Sequence, residues 1–173
     1  MIKLTIWWLK LTKKIGRHQF KLTIRKSGTG IKKCLFILPE FTNNQRLIDL
    51  LRTTMSDHQG VSIQLLINKL RILEYSEKFK DNLLLYDEDE FTNFNFPDEK
   101  LLDRVCMKSY HAVVDLNTKF YLPSAYLVYK SNAPYRIGFQ TQYAEHFYNV
   151  VLDNKTETDV EYSIMKIKEI LNI

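Results

Sequence analysis

A chain of 173 residues, 45% of them hydrophobic and 13% aromatic, can bury one sizeable core. Its formal net charge of +5 is unevenly held: residues 1–33 carry ten Lys/Arg and no acid, leaving fifteen bases against twenty acids beyond them. No apolar run reaches the roughly 18 residues of a membrane span, and "MIKLTIWWLKLTKK" does not read as a secretory signal, because Lys10 breaks its apolar core and no small-residue cleavage site follows.

In the basic leader, Leu4, Trp7, Trp8, Leu11 and Ile15 recur at helical spacing, which predicts a largely helical stretch over residues 1–25. Lys3, Lys10, Lys14, Arg17 and Lys21 fall along another face, and Gly16 is a point where the helix bends or breaks. Trp7 and Trp8 with Lys3, Lys10, Lys14 and Arg17 suit an anionic membrane surface, rings at headgroup depth and cations toward phosphate. The alternative is a stripe packed on the domain with solvated charges. Nucleic acid is not expected as a partner, since the rest of the chain is acidic and carries no recognised binding motif. "KSGTG" (26–30) reads as a joint between a leader at 1–30 and a single domain at 31–173.

Beyond it, strand and helix alternate. "KKCLFILP" is a continuous apolar run, as in a strand covered on both faces. Leu47, Leu50, Leu51, Thr54 and Met55 then share a helical face, opened by a capping box of Thr42 and Gln45. "VSIQLLI" and "NLLLY" are the second and third strands. The acidic run "DEDE" (87–90) reads as a solvated loop, because four consecutive acids cannot converge on one ion. Pro97, Asp98 and Glu99 suit a helix's first turn. "HAVVDL", "PSAYLVYKSN" and "YRIGF" are strand, helix and strand, and Val160, Ile164, Ile167 and Leu171 mark a last helix with Thr158 and Glu161 at capping spacing. The alternation predicts an α/β fold: a Rossmann-like open parallel sheet flanked by helices, strand order 3-2-1-4-5, behind a basic amphipathic helix.

"YHAVVDLN" resembles the "YDLVIDLQ"-type strand of the family 9 glycosyltransferases, the heptosyltransferase-like enzymes of lipopolysaccharide synthesis, and "SNAPYRIGF" is similar to their "GAPRRIGF"-type segment at similar spacing. The resemblance is best over residues 110–139, weaker from Lys32 to Ile173, and extends to small single-domain bacterial proteins with only the first half of such enzymes. It implies the first of two Rossmann-like domains, the one that handles the acceptor while the second binds the nucleotide sugar. The family's glycine-containing loop with a candidate catalytic aspartate corresponds here to "LPEFTNNQ", without that glycine or aspartate. Glu40 is the nearest carboxylate, a weak candidate base for an acceptor hydroxyl and otherwise a solvated loop acid.

Asp115, Asn117 and Lys119 fall at the carboxyl end of the fourth strand, where parallel sheets bind ligands. Asp115 either contacts a ligand or organises its loop. Arg136 either meets a phosphate or makes a surface salt bridge. His18, His58, His111 and His146 show no metal spacing, and there is no GxGxxG, Walker A or GxSxG motif, so no metal or cofactor is expected. Cys34 and Cys106 lack CxxC spacing and read as buried free thiols, which makes the cytoplasm the expected compartment. Two functions remain open: a non-catalytic binding module near the inner membrane, or the acceptor half of an enzyme completed by another chain or by self-association.

Overall fold

The structure, a computed structural model, describes residues 2–16, 31–39, 45–57, 60–153 and 160–173. Six parallel strands form one open sheet in the order β3-β2-β1-β4-β5-β6: β1 (Lys33–Ile37), β2 (Ser62–Asn68), β3 (Leu83–Tyr86), β4 (Ala112–Asp115), β5 (Tyr135–Phe139) and β6 (Val150–Leu152). β1 runs between β2 and β4, with Phe36 opposite Leu65 on one side and Val114 on the other. The expected order holds, and β6 adds an edge strand that the sequence reading lacks.

The helices are α1 (Ile2–Leu11), α2 (Gln45–Asp57), α3 (Ile72–Phe79), α4 (Glu99–Cys106), α5 (Leu122–Lys130) and α6 (Val160–Leu171). Alternate strand residues feed two cores. Leu35, Ile37, Leu66 and Val113 meet residues from α1, α4 and α5. Phe36, Leu65, Ile67 and Val114 meet Leu47, Ile48 and Leu51 of α2, Tyr75 and Phe79 of α3, and Ile164 and Ile167 of α6. Strands covered on both faces are why their sequences read as nearly continuous apolar runs. α3 was not expected from sequence. α4 starts two residues later than expected, at Glu99: Asp98 is its N-cap, accepting from the Leu101 amide at 2.8 Å, and Pro97 precedes the cap. Thr42 and Thr158, and with them both expected capping boxes, lie outside the described residues.

α1 corrects the reading of the leader. It ends at Leu11, well before Gly16. The Lys14 amide donates to the Leu9 carbonyl and the Lys13 amide to that of Lys10, with Lys13 at φ 54°, a Schellman stop with lysine in place of glycine. The inward side is Ile6 and Leu9, joined by Ile15 after the stop, and all three belong to the core shared with α4 and α5. Leu4, Trp7, Trp8 and Leu11 face the other way, at 71, 61, 44 and 64% exposure. The helix thus packs on the domain and still presents an apolar face outward. No described helix is long and apolar enough to cross a membrane. Arg17 and the "KSGTG" joint lie outside the described residues.

Candidate functional site

The sheet reverses its winding between β1 and β4. The Leu38 amide donates to Leu66 and the Leu116 amide to Ile37, at 3.0 Å each, and there the paired chains part at Pro39 and Asn117. Ligands in open parallel sheets sit in such a crevice. Asn117 and Lys119 lie on the loop after β4, Asn117 half-buried and Lys119 exposed. Glu40 lies outside the described residues.

Asp115 is 1% exposed and fully engaged. Its Oδ1 accepts from the Asn117 amide at 3.0 Å and from Asn117 Nδ2 at 2.7 Å. Its Oδ2 accepts from the Ser124 hydroxyl at 2.6 Å and the Tyr148 hydroxyl at 2.8 Å. Burial pushes its pKa upward, and those four hydrogen bonds oppose the shift without cancelling it. Burial, then the neighbouring carboxylate, likewise raises Tyr148. The carboxylate therefore ties the end of β4 to the first turn of α5 and to the β5–β6 connection. This is the loop-organising role, and it leaves the group unavailable as a base for a molecule in the crevice.

Arg136 is not at the surface. It sits early in β5, in register with Val113 and two residues short of the level of Asp115, at 3% exposure. Its guanidinium lies 5.8 Å from the Tyr129 ring centre, and its Nε has no hydrogen-bond partner among the described residues. The expected surface salt bridge is absent among those residues, and burial lowers the pKa of the group. The structure does not bring Arg136 together with Asp115, Asn117 and Lys119.

Arg71, which the sequence reading missed, does reach the crevice. It forks onto Glu74 at 2.7 and 3.2 Å, donates to Tyr75 Oη at 3.2 Å and to the Pro39 carbonyl. One guanidinium thereby pins the outgoing end of β1 to α3. Its only sequence signal was its place just after β2. The "DEDE" acids are also more ordered than a solvated loop. Asp87 caps a short 3-10 turn reciprocally with Glu90 and pairs with Lys69 at 2.8 Å, and Glu90 forks onto Arg104 at 2.6 and 2.7 Å.

A second concavity, about 570 Å³, opens between α1 and the Thr92–Pro97 loop, with Leu102 of α4 and Tyr126 of α5 in its lining. Trp8 lines it, and the Lys14 ammonium lies 4.6 Å from the Trp8 ring centre. Lys3 and Lys10 are exposed on α1.

No protein-family model matches the sequence. No curated protein matches it significantly. Among solved structures, E. coli ADP-heptose lps heptosyltransferase II is similar, with a TM-score of 0.53 and 18% identity over 71% of this chain and 36% of that one. The chain spans about a third of that protein's length. The likeness shows the fold: an open, parallel, Rossmann-like α/β sheet of the heptosyltransferase kind.

Proposed function

We propose that the chain is a glycosyltransferase-family-9-like half domain that binds without transferring, a module held at the cytoplasmic face of an inner membrane in cell-envelope glycan metabolism. The observation that carries this reading is the heptosyltransferase-like sheet whose switch-point carboxylate, Asp115, is consumed by four internal hydrogen bonds. Transfer needs donor and acceptor held together, since proximity supplies several kcal/mol of the barrier. The loop after β1, "LPEFTNNQ", also offers no glycine-rich cradle for a donor diphosphate. Membrane placement is supported by the outward Leu4, Trp7, Trp8 and Leu11 beside a strongly basic leader.

Calorimetry of the purified chain against a panel of nucleotide sugars tests the claim that it holds no transfer donor, and no binding tighter than millimolar is expected. Micromolar binding that Asn117→Ala or Lys119→Ala removes would overturn it. The second reading, an acceptor half completed by another chain or by self-association, is favoured by Asn117 and Lys119 on the loop at the carboxyl end of β4, where open parallel sheets bind ligands. It requires transfer to appear when a separate nucleotide-sugar domain is added.

A further inference from the structure

We propose that the cleft between α1 and the Thr92–Pro97 loop is a binding site for one acyl chain carrying an anionic head group. Its volume of about 570 Å³ is that of a small-molecule site, typically about 300–1,000 Å³. Its walls are mostly carbon: Leu4 and Trp8 from α1, Phe94 and Phe96 from the loop, Leu102 from α4 and Tyr126 from α5. The Thr92 hydroxyl on the lining already accepts from the Phe96 amide at 3.2 Å. A sugar or nucleotide would lose its hydrogen bonds to water there with little in exchange, whereas a hydrocarbon chain loses none.

Charge selects the head group. Lys14 is the one basic or acidic residue among the lining residues. The Schellman stop sends the chain back at Lys13, which leaves the Lys14 ammonium over the Trp8 ring. A carboxylate or phosphate beside it would complete the amphiphile, with Lys10 and Lys13 exposed nearby in sequence. The edges of the cleft are themselves apolar and exposed, Leu4 at 71% and Phe94 at 78%. Large apolar side chains left in water in a contiguous group mark an interaction surface. This inference deepens the membrane-facing part of the reading above, but the cleft does not require a bilayer to be tested.

Trp7 and Trp8 are the only tryptophans in the chain, and Trp8 alone lines the cleft. The variants Trp7→Phe and Trp8→Phe therefore each leave a single reporter, one in the cleft and one beside it. Titration with monomeric 9,10-dibromostearate, whose bromines quench an indole on contact, is expected to quench Trp8 in Trp7→Phe several-fold more than Trp7 in Trp8→Phe. Leu4→Asp, at an exposed position with little folding risk, and Lys14→Glu should each weaken the titration at least tenfold, with unchanged circular dichroism and melting temperature. Equal quenching of both reporters would mean surface adsorption and overturn the proposal, as would no quenching. A concentration-dependent dimer dissolved by Leu4→Asp and unaffected by stearate would overturn it too, because a second copy would then fill the cleft. Vesicles with brominated acyl chains on phosphatidylglycerol separate the two sources of chain. Selective quenching of Trp8 by free stearate without vesicle docking leaves the acyl site standing and removes only the membrane reading.

Discussion

Gly138 lies in β5 against the ring of Tyr148, and a Cβ placed on it would fall 2.5–2.6 Å from three ring atoms. The ring must then retreat by about 1 Å to reach ordinary contact, and overpacking of that kind costs about 1–3 kcal/mol. Retreat is resisted because Tyr148 is 5% exposed and its hydroxyl donates to Asp115 at 2.8 Å. Losing a hydrogen bond to a charged group adds about 1.5–3 kcal/mol. Gly138→Ala should therefore destabilise the domain by about 2.5–6 kcal/mol, and at about 2–4 °C per kcal/mol for a chain of this size it should lower Tm by about 5–24 °C. Urea denaturation gives the free energy and a thermal melt the Tm. The control is Tyr148→Leu, which removes the ring: in that background Gly138→Ala should cost less than about 1 kcal/mol. If Gly138→Ala costs the same with or without the ring, Tyr148 is not pinned between Gly138 and Asp115, and the picture of the carboxylate as an internal tie is wrong.

Lys13 adopts φ 54° at the α1 stop, a conformation that costs an L-residue roughly 1 kcal/mol, so Lys13→Gly should stabilise the chain by up to about 1 kcal/mol in urea denaturation. The folded pKa of Asp115 is raised above its ordinary 3.8, so the native state holds that proton more tightly than the unfolded chain. The group's contribution is greatest below the ordinary value and is lost as pH rises through the folded pKa; the stability of Asp115→Asn relative to the wild type should therefore improve from ~pH 4 upward. The Cys34 thiol is pushed up to about 12 by burial, so a maleimide should label it at neutral pH only after unfolding, as peptide mapping would show.

The sheet was legible because strands covered on both faces read as nearly continuous apolar runs, and "CLFIL", "AVV" and "IGF" do so within three of them. α3 was not legible: Tyr75 and Phe79 are buried anchors one turn apart, while Leu70 and Leu73 of the same stretch are exposed at 74 and 87%, which blurs the apolar stripe. β6 is three residues long and gave too short a signal. In α1, periodicity picked out Leu4, Trp7, Trp8, Leu11 and Ile15 as one stripe, of which the domain takes only Ile15, after the helix has stopped. Burial goes to the smaller side chains, Ile6 and Leu9. The sequence left Asp115 as either a ligand contact or a loop organiser, and its partners Ser124 and Tyr148 were not legible because they lie 9 and 33 residues away and meet it only through the fold. Arg136 read as a phosphate contact or a surface salt bridge because sequence shows its cation and not the Tyr129 ring beside it.

Cosedimentation with vesicles tests most directly whether this domain works as a binding module at a membrane. With phosphatidylglycerol-containing vesicles the chain should sediment at low salt and return to the supernatant as salt approaches ~1 M, where the Debye length falls to about 3 Å. With neutral phosphatidylcholine vesicles it should stay in solution. Replacing Trp7 and Trp8 by Ala should weaken the anionic binding without unfolding the domain, since both rings are exposed at 44% or more. Equal sedimentation with neutral and anionic vesicles, or none with either, would contradict the role assigned to α1.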